Sequence, residues 1–517
     1  MKSQTKYNKY MTMKIATLIL GALLISNSCN ELDLLPLDRV TASSFYKTQV
    51  DFDGAIFASY SAMQDLYGTS TETLGEFGEF WKITLAITDD VAADDNGGDG
   101  ASQDADNLFV RSTDIPYAAA YTQLYEGILR ANIVLEQLDG ENELSAGDKA
   151  IFDAEAKFLR AWFHFQLLKM WGTPPLVTTV LTDILDLAQP NATQDALYTQ
   201  ILSDFGAAAA GLPANTAAWG GGNTGRATAN AATAYIGKVK VWQKDWAGAI
   251  AAFESVLGEY SLLPNYVDVF AYDNENNAES IFEIQYGGPF SDDNLWVFDD
   301  THSENFKASQ GTGRGWHYDA SNGAPGGKLG QWVPTQDLVD EYMLEPNDLR
   351  LAENLYMDGD VYFTTFTSLP YDPTWSSTGY TIKKYRGQRN TVPANHSNNQ
   401  QADFNNERWF RFAELKLLYA EALIEMGGRD ADAAVQINDI RTRAGLGPFA
   451  GDITTAMRRE KRLEMAFEPH RWFDIIRWGI GPDVVLGGTW DPKLVLYPFP
   501  QSEIDRSDGK LTQNPGY

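Results

Sequence analysis

The stretch that decides the fold is Ala229-Asn-Ala-Ala-Thr-Ala-Tyr-Ile-Gly-Lys-Val-Lys-Val-Trp-Gln-Lys244-Asp245-Trp246-Ala-Gly-Ala-Ile-Ala-Ala-Phe253. It reads as two helices joined around Lys244-Asp245. The second half is rich in small residues, which lets two helix backbones approach closely. Thr228 stands ahead of the first helix, where a hydroxyl can cap the free amides of the opening turn. Pro264 follows the second.

This unit resembles a single tetratricopeptide repeat, a helix pair of about 34 residues. Such a pair cannot bury its apolar face alone and must stack on neighbours. Looking outward, Leu124, Ile128, Ala131, Leu135 and Leu138 recur at helical spacing. So do Phe152, Ala156, Leu159, Phe163, Leu167 and Met170, and so do Leu197, Ile201, Phe205, Ala208 and Leu212. Each set lies on one helical face. Gly140, Gly172 and Gly211 are read as helix ends. Degenerate helix pairs are expected at 121–171 and 408–444. Residues 265–400 differ, being rich in Gly, Asn, Asp, Pro and aromatic residues, with Ser280-Ile-Phe-Glu-Ile-Gln-Tyr286 alternating like a strand. Long loops in a compact protein usually carry function, so the ligand-binding surface is expected to draw on this region.

The 517 residues are 44% hydrophobic, enough for a large core, and the net charge is −30. The first 28 residues hold Lys2, Lys6, Lys9 and Lys14 and no acid, so their removal takes the charge to −34. That surface repels phosphate backbones and argues against nucleic acid. It favours neutral over polyanionic partners.

The chain has one cysteine, Cys29, which excludes an internal disulfide or a cysteine metal site. Lys14 is followed by the apolar run Ile15–Ile25, then Ser26-Asn-Ser28 and Cys29. A run of that length falls short of the roughly 20 residues that span a bilayer; it has the build of a secretion signal. Cys29 stands where a bacterial lipoprotein would be acylated, and acylation would tie the protein to a membrane. Residues 1–28 are read as the signal, 29–40 as a tether, and 41–517 as one domain.

Several runs together resemble the SusD/RagB family of outer-membrane nutrient-binding lipoproteins. They are Arg411-Phe-Ala-Glu414-Leu-Lys-Leu-Leu-Tyr-Ala-Glu421, Ile437-Asn-Asp-Ile-Arg441, Arg459-Glu460-Lys-Arg-Leu-Glu464-Met-Ala-Phe-Glu468, Arg471-Trp-Phe-Asp474-Ile-Ile-Arg477-Trp, and the closing Tyr497-Pro-Phe-Pro to Asn514-Pro-Gly-Tyr517. The resemblance implies a mainly α-helical, SusD-like fold: tetratricopeptide-like helix pairs, mainly at 41–264 and 408–479, packed with a loop-rich, irregular second half. It also implies a non-catalytic surface lipoprotein of the outer membrane. Such a protein captures poly- or oligosaccharide and delivers it to a SusC-like TonB-dependent transporter. Peptide cargo and a lipoprotein glycoside hydrolase stay open as alternatives.

Candidate residues follow from sugar chemistry. A pyranose ring has an apolar C–H face that stacks on aromatic rings, while its hydroxyls need polar side chains at the rim. Trp81, Trp296 and Trp316 are the expected platform, with Asp90, Asn294 and Arg314 as polar partners. Trp162, Trp242, Trp246, Trp472 and Trp478 sit in helical patterns and are expected to be structural. Lys461 and Glu464 are spaced as an i, i+3 ion pair. Arg471, Asp474 and Arg477 are assigned to the same scaffold. The five histidines show no zinc-binding spacing. Asp94-Asp-Asn-Gly-Gly-Asp99-Gly offers oxygen ligands of the kind calcium takes but lacks the closing Glu of an EF-hand. It is read as a loop, and no cofactor is expected.

Overall fold

The computed structural model describes residues 45–67, 79–93, 100–183, 188–286, 318, 320, 324, 330–363, 368–385, 405–484 and 490–517. The expected signal and tether, including Cys29, fall outside this set. Eleven helices of eight or more residues are described. They are α1 (Gln49–Tyr67), α2 (Ile115–Leu138), α3 (Ala146–Trp171), α4 (Gln194–Gly211), α5 (Ala229–Gln243), α6 (Trp246–Val256), α7 (Gln336–Met343), α8 (Phe412–Met426), α9 (Asp430–Arg443), α10 (Ile453–Glu464) and α11 (Arg471–Trp478). Among the described residues, no helix is long and apolar enough to cross a membrane.

Caps set the helix starts. The Thr228 hydroxyl accepts from the Ala231 amide at 3.1 Å, and Ser145 and Thr193 serve α3 and α4 in the same way. The α5–α6 turn is as short as the sequence suggests. Lys244 closes α5 in the left-handed region at φ +59°, and Asp245 opens α6 by accepting from the Gly248 amide at 3.0 Å. Gly172, at φ +72°, ends α3. Gly211 is the last residue of α4, as its position suggests, and it also lets α4 pack close to α3, since a Cβ there would stand 2.7 Å from that of Ala154.

Each of α1 to α6 packs on the next, forming one continuous stack. The stack continues from α6 directly to α8, then α9 and α10. Residues 257–411 are therefore an insertion between two stack neighbours. Their ends are tied by β2 (Ser280–Ile284) pairing antiparallel with β8 (Glu407–Arg411). Within the insertion lie β4 (Leu355–Tyr356) against β7 (Thr381–Ile382), and the hairpin of β5 (Val361–Phe363) with β6 (Ser368–Pro370). It also reaches back to the first half, where β1 (Val91–Ala93) pairs with β3 (Trp332–Pro334).

The expected apolar stripes of α2, α3 and α4 are buried, apart from a half-buried Leu135. Helix α3 goes further: from Phe158 to Trp171 every residue is buried, because the stack covers it on all sides. Trp162 and Trp472 are in the core, and Trp242, Trp246 and Trp478 pack half-buried against it.

A buried ionic cluster fixes the insertion to the stack. Arg411 of β8 reaches Glu464 at 2.5 Å and Glu468 at 2.8 Å. Arg443 of α9 holds Glu279 at 2.7 Å and Glu464 at 2.5 Å. Arg350 contacts Asp348 at 2.7 Å and Glu460 at 2.6 Å, and Lys384 contacts Glu468 at 2.6 Å. The expected Lys461–Glu464 pair does not form. Lys461 instead bonds Asp474 at 2.7 Å, since both residues point inward to different partners. Asp474 also meets Arg477, and Arg477 pairs with Glu421. Burial alone would push the Glu464 carboxyl up, but Arg443, Arg411 and Arg350 outweigh it and hold it well below the usual carboxylate range.

Two predictions follow from this packing. A Cβ at Gly237 on α5 would collide with the Phe253 ring on α6. Gly237→Ala should therefore cost roughly 1–3 kcal/mol in urea unfolding, with part regained when Phe253→Leu is added. Glu464→Gln should cost about 3–5 kcal/mol at neutral pH, because it strands buried guanidinium groups. Because Glu464 has a depressed folded pKa, its stabilisation is present above the unfolded carboxylate value near 4.5 and is lost as pH falls. Between about pH 5 and pH 3 the variant should lose less stability than the parent. An equal loss would show that Glu464 does not carry this acid sensitivity.

Candidate functional site

The structure corrects one expected platform residue, Trp81, and one expected polar partner, Asp90. Trp81 is 1% exposed, with its ring 5.0 Å from Tyr67, 6.0 Å from Tyr318 and 6.3 Å from Trp332. It ends a short helix that runs into the wholly buried turn Lys82–Ala86, so it is core and presents no face to a ligand. Asp90 is also buried, held by the Arg462 guanidinium at 2.7 Å. Burial pushes its carboxyl up, against the pull of Arg462. Next to it, Asp89 accepts from Arg471 Nε at 2.8 Å and Nη2 at 2.5 Å. These acids fasten the 82–91 segment to α10 and α11. Trp296, Asn294, Arg314 and Trp316 lie outside the described residues, as do residues 94–99 of the acidic loop.

What the early region does build is a cleft. Lys82 and Ile83 form one wall, and the helix Gly100–Asp106 with the segment 109–117 forms the other, enclosing about 430 Å³. At its mouth stands Phe109, 59% exposed, with Ile115 beside it at 42%. The backbone explains why Phe109 faces out. The Phe109 amide donates to the Asp104 carbonyl at 2.7 Å and the Leu108 amide to the Ala105 carbonyl at 2.9 Å. This is the Schellman pattern of a helix end, which calls for a left-handed residue in the position Leu108 holds. Leu108 adopts it at φ +62°, an arrangement that costs a branched residue roughly 1–2 kcal/mol. The turn sends Leu108 into the core, where it is 6% exposed, and leaves its neighbour in solvent.

The rim is charged and ordered. Arg111 Nε donates to Asp114 Oδ1 at 2.8 Å, and the Arg111 amide to Asp114 Oδ2 at 2.9 Å. The same guanidinium also pairs with Asp104. Both carboxylates are thus engaged by one cation, which suits them to accept hydrogen bonds more than to act as an acid and nucleophile pair. On the floor, Tyr117 lies 4.9 Å from the Tyr497 ring, and Tyr497 donates its hydroxyl to the Ile83 carbonyl. The Tyr117 hydroxyl is buried and has no hydrogen-bond partner among the described residues.

A larger hollow of about 830 Å³ lies between α2, residues 175–181, residues 188–189 and the C-terminal segment; Ile128, Leu129, Val177, Leu181 and Leu511 line it together with Tyr121, Tyr125, Glu126, Gln189, Glu503 and Arg506. The cleft at Phe109 combines an exposed ring with a polar rim. Sequence reading missed it because Phe109 belongs to no periodic pattern. The available signal was an aromatic residue one position from a turn and flanked by Asp104, Arg111 and Asp114.

Comparison with known proteins covers both halves of the chain. A family model described as "SusD family" matches residues 258–494, and one described as "Starch-binding associating with outer membrane" matches residues 44–241. The chain is 26% identical to SusD-like protein P2 of Formosa agariphila, covering 98% of this chain and 99% of that protein. It is 24% identical to starch-binding protein SusD of Bacteroides thetaiotaomicron, covering 99% and 100%. Among solved structures, a laminarin-binding SusD-like protein superposes with a TM-score of 0.75 at 25% identity, over 91% of this chain and all of that one. With one model matching most of the helical first half and the other the insertion and the helices that follow it, the chain belongs to the SusD family.

Proposed function

We propose that this protein is a non-catalytic glycan-binding lipoprotein of the outer-membrane surface. It captures neutral poly- or oligosaccharide and passes it to a SusC-like TonB-dependent transporter. Cys29 carries the lipid, residues 29–40 are the tether, and 41–517 form the binding body. The observation that carries the reading is the exposed Phe109 ring above a cleft rimmed by Arg111, Asp104 and Asp114, in a chain related along its whole length to a starch-binding protein. A ring fixed by its turn stacks on a sugar's apolar face, and the rim groups meet its hydroxyls. The net charge of −30 favours an uncharged glycan. Laminarin and starch, named in two relatives, are both neutral glucans. Trp296, Trp316, Asn294 and Arg314 are proposed to extend the platform.

The test uses the protein from the residue after Cys29. Affinity electrophoresis and calorimetry against laminarin, soluble starch and other neutral polysaccharides are run with an assay for new reducing ends. Retention by a neutral glycan without release of reducing ends is expected, and Phe109→Ala should weaken it roughly threefold to tenfold. Release of reducing ends would make the protein a hydrolase. Undiminished binding by Phe109→Ala would move the site away from this cleft, and silence across all glycans would point to peptide or other cargo.

A further inference from the structure

A second surface, sharing no residue with the cleft, has the same chemical character. It is centred on Arg226, in the turn before α5. Arg226 Nε and Nη2 bond Glu155 at 2.9 and 2.5 Å, and Nη1 bonds Asp53 at 2.7 Å. Two aromatic rings flank the guanidinium toward solvent. The Trp219 centroid is 4.5 Å from its carbon and the Phe57 centroid 5.4 Å. Phe57 stands on α1 and is 50% exposed, while Trp219 is half-buried. The indole of Trp219 donates to the Ala227 carbonyl at 2.8 Å, which fixes the ring in place.

The surroundings are polar and open. Gly220, Gly221 and Gly222 have empty space where a side chain would stand, and Gly220 and Gly222 lie at φ +80° and +83°. The Asn223 amide lies beside them, accepting from Arg226 at 3.3 Å and donating to the Trp219 carbonyl at 3.3 Å. One guanidinium faces two carboxylates, so the patch carries a surplus negative charge and disfavours anionic ligands. Separate rings near the Asn223 amide and the partly exposed Asp53 carboxylate differ from the continuous apolar face that a protein partner buries at the centre of its interface. They match a pyranose chain, whose apolar faces alternate with hydroxyls.

We propose that Phe57, Trp219 and the Gly220–Asn223 loop form a second glycan-binding surface, which takes neutral pyranose units of the same polymer that occupies the cleft. The proposal rests on the glycan-binding reading. The Trp219 ring is held by its bond to the Ala227 carbonyl before the ligand arrives, so little of its freedom is lost on binding. Two modest sites on one chain raise the retention of a long polymer far above that of a short oligosaccharide.

The experiment compares the parent with Phe57→Ala, Trp219→Leu and Phe109→Ala, each carried on the chain from the residue after Cys29. Calorimetry uses a short oligosaccharide of whichever glycan the parent retains, and affinity electrophoresis uses the polymer. The parent should bind two short oligosaccharides per chain, and Phe57→Ala and Trp219→Leu should each leave the one that Phe109→Ala removes. Polymer retention should fall roughly threefold to tenfold in each single variant. Phe57 is half-exposed, so Phe57→Ala decides the matter alone if Trp219→Leu fails to fold. A single binding event in the parent, with polymer retention unchanged by Phe57→Ala and weakened by Phe109→Ala, overturns the second surface and leaves the function standing. Failure of the parent to retain any glycan overturns both.

Discussion

Arg411, Glu464 and Glu468 form the junction on which the rest of the architecture depends. The helical stack is interrupted between α6 and α8 by residues 257–411. Its return is fixed when the last residue of β8 places a guanidinium, with essentially no exposure, between carboxylates that follow from α10. Arg443 and Arg350 share the same Glu464 from the stack and from the insertion. Taking so many charges out of water is expensive, and well-packed apolar groups often give equal or greater stability. What the cluster supplies is geometric demand. A guanidinium fork accepts carboxylates only in a few directions, so the insertion can dock in one register.

The same device holds the early segment. Arg471 donates to the Asp89 carboxylate, Arg462 donates to the Asp90 carboxylate and to the Asp89 carbonyl, and the β1–β3 pairing joins that segment to the insertion. Trp81, Tyr67, Tyr318 and Trp332 fill the space beneath. The cleft wall at Lys82 and Ile83 therefore stands on a support gathered from both halves of the chain. If the cleft takes the glycan as proposed, a wall so supported limits the entropy lost on association.

Much of the scaffold was legible. Helical stripes, the short Lys244-Asp245 turn, the Thr228 cap and the strand at Ser280 all depend on neighbours a few positions apart. The core tryptophans Trp162 and Trp472 were legible for the same reason. The details that failed were those in which a local rule met a distant partner. Lys461 and Glu464 have ion-pair spacing, yet each pairs with a buried residue of another helix, Asp474 and Arg443 respectively. Gly211 does end α4, but only the packing shows that its missing side chain also lets α4 lie close to Ala154 of α3.

Helical class, acidic surface, the cysteine placed just after an apolar run and the scattered runs that carry family membership are all written in the chain, because each is a property of composition or of short-range spacing. Which aromatic residues meet solvent is set by packing between distant segments. Trp81 is buried because Tyr318 and Trp332, far along the chain, close over it, and Asp89 is a structural acid because Arg471 comes from 382 positions away. Phe109 is exposed because a left-handed Leu108 turns it outward. A side chain's burial is set by whatever packs against it, and no local pattern records which remote residues those are.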